Sequence, residues 1–153
     1  MFTKASQIGA TRGKTKRKKP SKTALKKKAD KLCGDIVRAR GHCENPDCKH
    51  PGMYALQWAH ILSRSYLNTR WMPENAFCLC AGCHMYFTNH PAEWEVFVET
   101  MIGRDRYIEL RRKALEYNKT DYDAILEDLR SREMRETTLH HHPWLSNFDE
   151  RRA

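Results

Sequence analysis

Two short cysteine spacings leave this chain few ways to fold. Cys43 and Cys48 form a C-x4-C pair, Cys80 and Cys83 form a C-x2-C pair, and more than thirty residues separate the two. Four thiolates presented as two knuckles are the usual closed, tetrahedral Zn2+ site, which leaves no open position on the ion and therefore staples rather than catalyses. A chain that closes such a site must bring a loop near residue 45 against a helix start near residue 80. Cys78 is a rival for Cys80, although its spacing to Cys83 winds less tightly, and His50 beside the second cysteine is an alternative ligand. Cys33 falls on an apolar helical face and reads as a small buried residue.

Six cysteines suit metal ligation or buried thiols in a reducing compartment better than disulfides. The basic N-terminus has no apolar stretch after it, unlike a secretory signal. No run approaches the ~18–20 apolar residues of a membrane span. The expectation is a cytoplasmic protein with no membrane partner.

Charge is distributed unevenly. The chain carries a net +9, but residues 1–31 hold twelve Lys and Arg against a single acid, Asp30, whereas the remainder sums to −2. The stretch "KTKRKKPSKTALKKK" is dense in cations, and lysines that neutralise phosphates release counterions, so nucleic-acid contact is expected there. The residues expected to meet the backbone are Lys14, Lys16, Arg17, Lys18, Lys19, Lys26, Lys27 and Lys28.

Residues 1–20 have the composition of a disordered basic arm. From Ser21, a candidate N-cap, the apolar positions Leu25, Ala29, Leu32, Cys33, Ile36 and Val37 recur every three or four residues, predicting a helix to about Arg40, stopped by Gly41. "GHCENPDCKHPG" is a tight loop. "MYALQWAHI" alternates as a strand, with Trp58 and His60 on one face and Gln57 and Ala59 on the other. A long loop over 62–74 leads to a short second strand or turn at "NAFCL", then to a helix from about Cys80 to Asn89, where Pro91 disfavours further helical geometry. Helices are expected at "PAEWEVFVETMI", "RDRYIELRRKALEY" and "DYDAILEDLRSREMRE". The division expected is 1–20 as arm, 21–101 as the main domain, 102–136 as a helical extension and 137–153 as a tail. Trp58, Trp71, Phe77, Tyr86 and Phe87 are expected in the core.

Strand, loop, strand and helix carry His60, Asn75 and His84 in that order. The stretch "CENPDC…WAHILSRSYLNTRWMPENAFCLCAGCHMYF" resembles an HNH (His-Me finger, ββα-metal) endonuclease with embedded zinc knuckles, and its "AHILSR…RW.PEN…C..CH" spelling is similar to NinG-like phage recombination endonucleases. The resemblance covers about residues 21–100.

It implies an α+β fold: a ββα-metal core stapled by a four-cysteine zinc site and flanked by a basic N-terminal helix and C-terminal helices. It further implies a phage-encoded enzyme in the bacterial host cytoplasm that hydrolyses DNA phosphodiester bonds, with branched DNA among its substrates. His60 would be the general base, Asn75 would hold the His60 loop, and His84 would bind a catalytic Mg2+ or Mn2+. Arg64 and Arg70 could hold phosphates bidentately. Many HNH enzymes place Asp or His immediately before the base as a second metal ligand. Here that residue is Ala59, which coordinates nothing; Thr88 would be a weak ligand, and His90 is the candidate second ligand. The rival reading is a non-catalytic zinc-finger DNA-binding protein, and a ribonuclease is a third. The C-terminal helices could pair two chains into a homodimer.

Overall fold

The computed structural model describes residues 19–49 and 51–141. The basic positions Lys14, Lys16, Arg17 and Lys18, the alternative ligand His50, and the end of the tail beyond residue 141 lie outside the described residues.

Helix α1 spans Lys22–Arg38, capped as its sequence predicts by the Ser21 side chain, which accepts from Ala24 N–H at 3.2 Å. The chain then turns through Gly41, whose φ of +78° is a conformation that L side chains rarely adopt. Strands β1 (Leu56–His60) and β2 (Ala76–Cys80) pair antiparallel, with Trp58 opposite Cys78, Ala59 opposite Phe77 and His60 opposite Ala76. Between them the expected long loop carries structure of its own: a one-turn helix α2 (Leu67–Arg70) and a 3-10 turn (Pro73–Asn75). Helices α3 (Ala81–Asn89), α4 (Pro91–Ile102), α5 (Arg104–Leu115) and α6 (Tyr122–His141) follow. Gly103 at φ +80° separates α4 from α5.

The small sheet is covered on both faces. On one face Ala59, Phe77 and Leu79 share a core with Phe87 of α3, Val98 of α4 and Leu110 of α5. On the other, Ala76 and Cys78 pack on Val37 of α1. The outer side of α1 presents Ala29, Cys33 and Ile36 to Leu126 and Leu129 of α6, with Trp71 in the same cluster. Every residue of β2 is therefore buried.

The helices beyond residue 101 pack on the elements before it: Leu110 belongs to the sheet core and α6 completes the α1 layer. Two sequence expectations change at this level. Helix α6 runs past residue 136 to His141: no glycine or proline intervenes before Pro143, and a proline disfavours helix at the residue just before it. Tyr86 is not in the core; it is 45% exposed, on the side of α3 that lines a groove of about 800 Å³ with Tyr54, Phe97 and Met101. No helix among the described residues is long and apolar enough to cross a membrane.

Candidate functional site

The knuckle loop is tied to the end of β2. Glu44 N–H donates to the Cys78 carbonyl at 2.8 Å, and the Glu44 carboxylate accepts from Cys78 N–H at 2.6 Å and from Arg40 at 2.7 Å. This places Cys43 and Cys48 beside Cys80, the N-cap of α3, and Cys83 in its first turn. The four Sγ atoms lie within 4.8 Å of one another. The Sγ atoms of Cys48 and Cys80 are 3.7 Å apart, close to the ~3.8 Å edge of a tetrahedron with ~2.3 Å Zn–S bonds. All six cysteines are free thiols.

The donor chemistry fits a dication. At Cys80 burial opposes the thiolate, but the Cys83 backbone N–H and the neighbouring thiols outweigh it and lower the pKa. Burial instead pushes Cys83 up to about 12, so a second thiolate in this cluster calls for a compensating cation. Asn45 Nδ2 donates to Cys83 Sγ at 3.3 Å, and Cys83 N–H donates to Cys80 Sγ at 3.4 Å, as outer-shell donors to thiolates do. Cys78 points to the α1 side and joins Val37 and Ala76, so it is not part of the cluster. Cys33 is fully buried, and burial raises its thiol to about 12, fitting an inert core residue.

His60 ends β1 on the face away from Ala59. Its ring lies 4.0 Å from that of Trp58, and Nε2 meets the Arg70 backbone carbonyl at 3.2 Å. A carbonyl only accepts, so Nε2 carries the proton and Nδ1 keeps a free lone pair. Burial lowers the imidazole from the ordinary 6.5 to about 4; the Arg70 carbonyl opposes this, while the charges of Arg64 and Arg70 add to it. At neutral pH the ring is an uncharged base.

Asn75 is wholly buried and braces the loop beyond His60. Its Oδ1 accepts from Leu62 N–H at 2.8 Å, and Nδ2 donates to the carbonyls of Leu62 (3.2 Å) and Thr69 (3.1 Å). His84 stands on α3, where Nδ1 meets Gln57 Oε1 of β1 at 2.6 Å. The amide oxygen fixes the proton on Nδ1 and leaves Nε2 free to ligate. Burial, and then Arg64, lower the His84 pKa. The charge of Arg64 thus acts on both histidines, and its exposed side chain makes no hydrogen bond or ion pair among the described residues.

The remaining expected site residues divide. Arg70 is not available to a phosphate: Asp30 and the Arg64 carbonyl occupy its guanidinium, and its side chain is 11% exposed. His90 Nδ1 bonds the Tyr86 carbonyl at 2.7 Å and its ring stacks on Tyr86, two residues beyond His84 and so round the helix from it. The structure does not bring His90 to His84. Thr88 donates its hydroxyl to the His84 carbonyl. Ala59 is 1% exposed and packs in the sheet core. Among the described residues the cysteine cluster is the one group of three or more potential ligands. Lys19, Lys27 and Lys28 are exposed, and Lys26 is half-buried beside Asp30.

Two residues of this site escaped sequence reasoning. Gln57 carries no motif. Asp30 did leave a signal, as the lone acid among the first 31 residues and next to the buried Ala29.

Comparison with protein-family models, curated proteins and solved structures finds no match.

Proposed function

We propose that the chain is a zinc-stapled, metal-dependent endonuclease of the HNH type acting on DNA. The observation that carries this reading is the His60 imidazole at the end of β1, held by one nitrogen on the carbonyl of Arg70, in a loop that Asn75 braces. His60 Nδ1 takes the proton from a water as that water attacks phosphorus and the P–O bond to the leaving strand breaks. Asn75 keeps the loop, and with it the Arg70 carbonyl, in place. His84 Nε2, oriented by Gln57, would hold Mg2+ or Mn2+, which would neutralise charge on the scissile phosphate and the leaving oxygen. Arg64 draws the phosphate toward the two histidines, and the lysines of α1 extend the contact along the backbone. The cysteine cluster takes structural Zn2+ and no part in the chemistry.

A second reading asks less of the chain. The cysteine cluster and the basic helix support a non-catalytic zinc-finger DNA-binding protein more directly than they support a nuclease, and the buried Ala59 gives His84 no second metal ligand from β1. The deciding experiment incubates labelled duplex DNA, a four-way junction and a matched RNA with the protein in Mg2+, Mn2+ or EDTA, beside His60→Ala. Metal-dependent cutting that the variant loses supports the nuclease, and the preferred substrate separates junction, duplex and RNA. Tight binding without cutting under every metal means the binding module is right.

A further inference from the structure

Helix α1 lies outside the strand–loop–strand–helix unit, yet one of its side chains reaches into that unit. Its two acids divide. Asp35 pairs with Lys31 and Arg38 on the helix surface, whereas Asp30 turns to the loop between the strands.

Both Asp30 oxygens are engaged: Oδ1 accepts from Arg70 Nε at 2.8 Å and Oδ2 from Arg70 Nη2 at 2.9 Å. Oδ1 also accepts from the Trp71 indole N–H at 2.8 Å. Arg70 Nη1 donates to the Arg64 carbonyl at 2.8 Å, and Arg70 N–H donates to the Tyr66 carbonyl at 2.9 Å. The carbonyl of this fully engaged residue is the one that meets His60. It sits at the end of a single helical turn, which by itself holds a peptide plane loosely. A bidentate ion pair removes that freedom, because a planar guanidinium gripped at both ends of a carboxylate has one orientation.

We propose that Asp30 is a positioning residue for His60: by gripping Arg70 and Trp71 it sets the Arg70 carbonyl against one imidazole nitrogen and leaves the lone pair on the other. The catalytic consequence rests on the nuclease reading; the effect on the imidazole does not. A plain staple between α1 and the loop would change stability and leave the His60 tautomer as it is.

The test records nitrogen-15 histidine ring spectra of the full-length, zinc-loaded protein, with His60 assigned through His60→Gln. Asp30→Asn, Asp30→Glu and Val98→Ala are compared, the last loosening the packing of α4 in the separate core on the other face of the sheet. In the unaltered protein one His60 nitrogen carries the proton. Asp30→Asn gives a mixture of tautomers and, where cutting is seen, a kcat lower by up to about a hundredfold at similar KM. Asp30→Glu falls between, and Val98→Ala lowers Tm with the ring signals unmoved. Identical His60 signals in Asp30→Asn, with zinc content retained, overturn the proposal, as does the same change in Val98→Ala. Should Asp30→Asn not fold, displaced signals in Asp30→Glu support the proposal and unmoved ones overturn it. A tautomer change in a protein that cuts nothing supports the positioning role and removes the nuclease reading.

Discussion

Asn75 and Leu62 exchange two hydrogen bonds, side chain to backbone, as two strand residues would: Leu62 N–H to Oδ1 at 2.8 Å and Nδ2 to the Leu62 carbonyl at 3.2 Å. The Ile61 N–H to Asn75 carbonyl bond at 2.8 Å directly precedes them. The amide thus extends the β1–β2 ladder by one step where the backbone leaves the sheet.

Asn75→Ala leaves Leu62 N–H and the Leu62 carbonyl without these partners in a partly buried place, while the Thr69 carbonyl keeps the Met72 N–H at 3.1 Å. A loss of about 3 kcal/mol is expected, from unmade bonds worth about 1–3 kcal/mol each with partial relief by water. Urea unfolding of the zinc-loaded protein measures it, and a loss below about 1 kcal/mol would mean that the loop does not depend on this brace.

The cysteine cluster should bind one Zn2+ per chain. Cys48→Ser or Cys80→Ser should lose the metal and the folded knuckle, while Cys78→Ser should keep both. Metal analysis with circular dichroism separates these outcomes; zinc loss in Cys78→Ser would contradict the cluster as built.

His60 gives a pH signature. Its folded pKa lies near 4 against an ordinary 6.5, so between those values the unfolded chain binds the extra proton. The stability contribution is fully present above about 6.5 and is lost as pH falls toward about 4. His60→Gln should flatten that part of the stability curve. In a cleavage assay the acid limb assigned to His60 should lie near 4, and a limb at 6.5 would mean a solvated imidazole.

Arg64 and Arg70 should separate cleanly. Arg70→Ala strips Asp30 of its main partner and should cost about 2 kcal/mol of stability, less than a fully buried pair because Asp30 is partly solvated. Arg64→Ala should leave stability within about 0.5 kcal/mol and weaken DNA binding. Equal Tm losses in the two variants would refute this division.

Deletion of residues 1–20 should flatten the salt dependence of DNA binding. Six phosphate contacts correspond to roughly a thousandfold loss of affinity between 50 and 200 mM salt. An unchanged slope in the shortened chain would assign the contacts to α1 and the body instead.

Much of this architecture was legible in local spacing. The Ser21 cap, the alternation through Trp58 and Ala59, Pro91 at the start of α4 and the cysteine pairs all mark features that depend on residues a few positions apart. The loop over 62–74 was less legible, because its short helix and 3-10 turn are held by distant partners: Arg40 on the Pro73 and Ala76 carbonyls, Arg132 of α6 on Glu74, and Asn68 on the Lys113 carbonyl.

By itself the sequence determined the longer helices, the two strands, the thiol cluster and the basic stretch, since periodicity, capping and ligand spacing act over short range. Only the tertiary structure decided that Arg70 serves the fold while Arg64 stays free, that Tyr86 is exposed, and that His90 turns from His84. Asp30 and Arg70 are forty residues apart in the chain. Periodicity says which side of an element a residue takes, and packing alone says what meets it there.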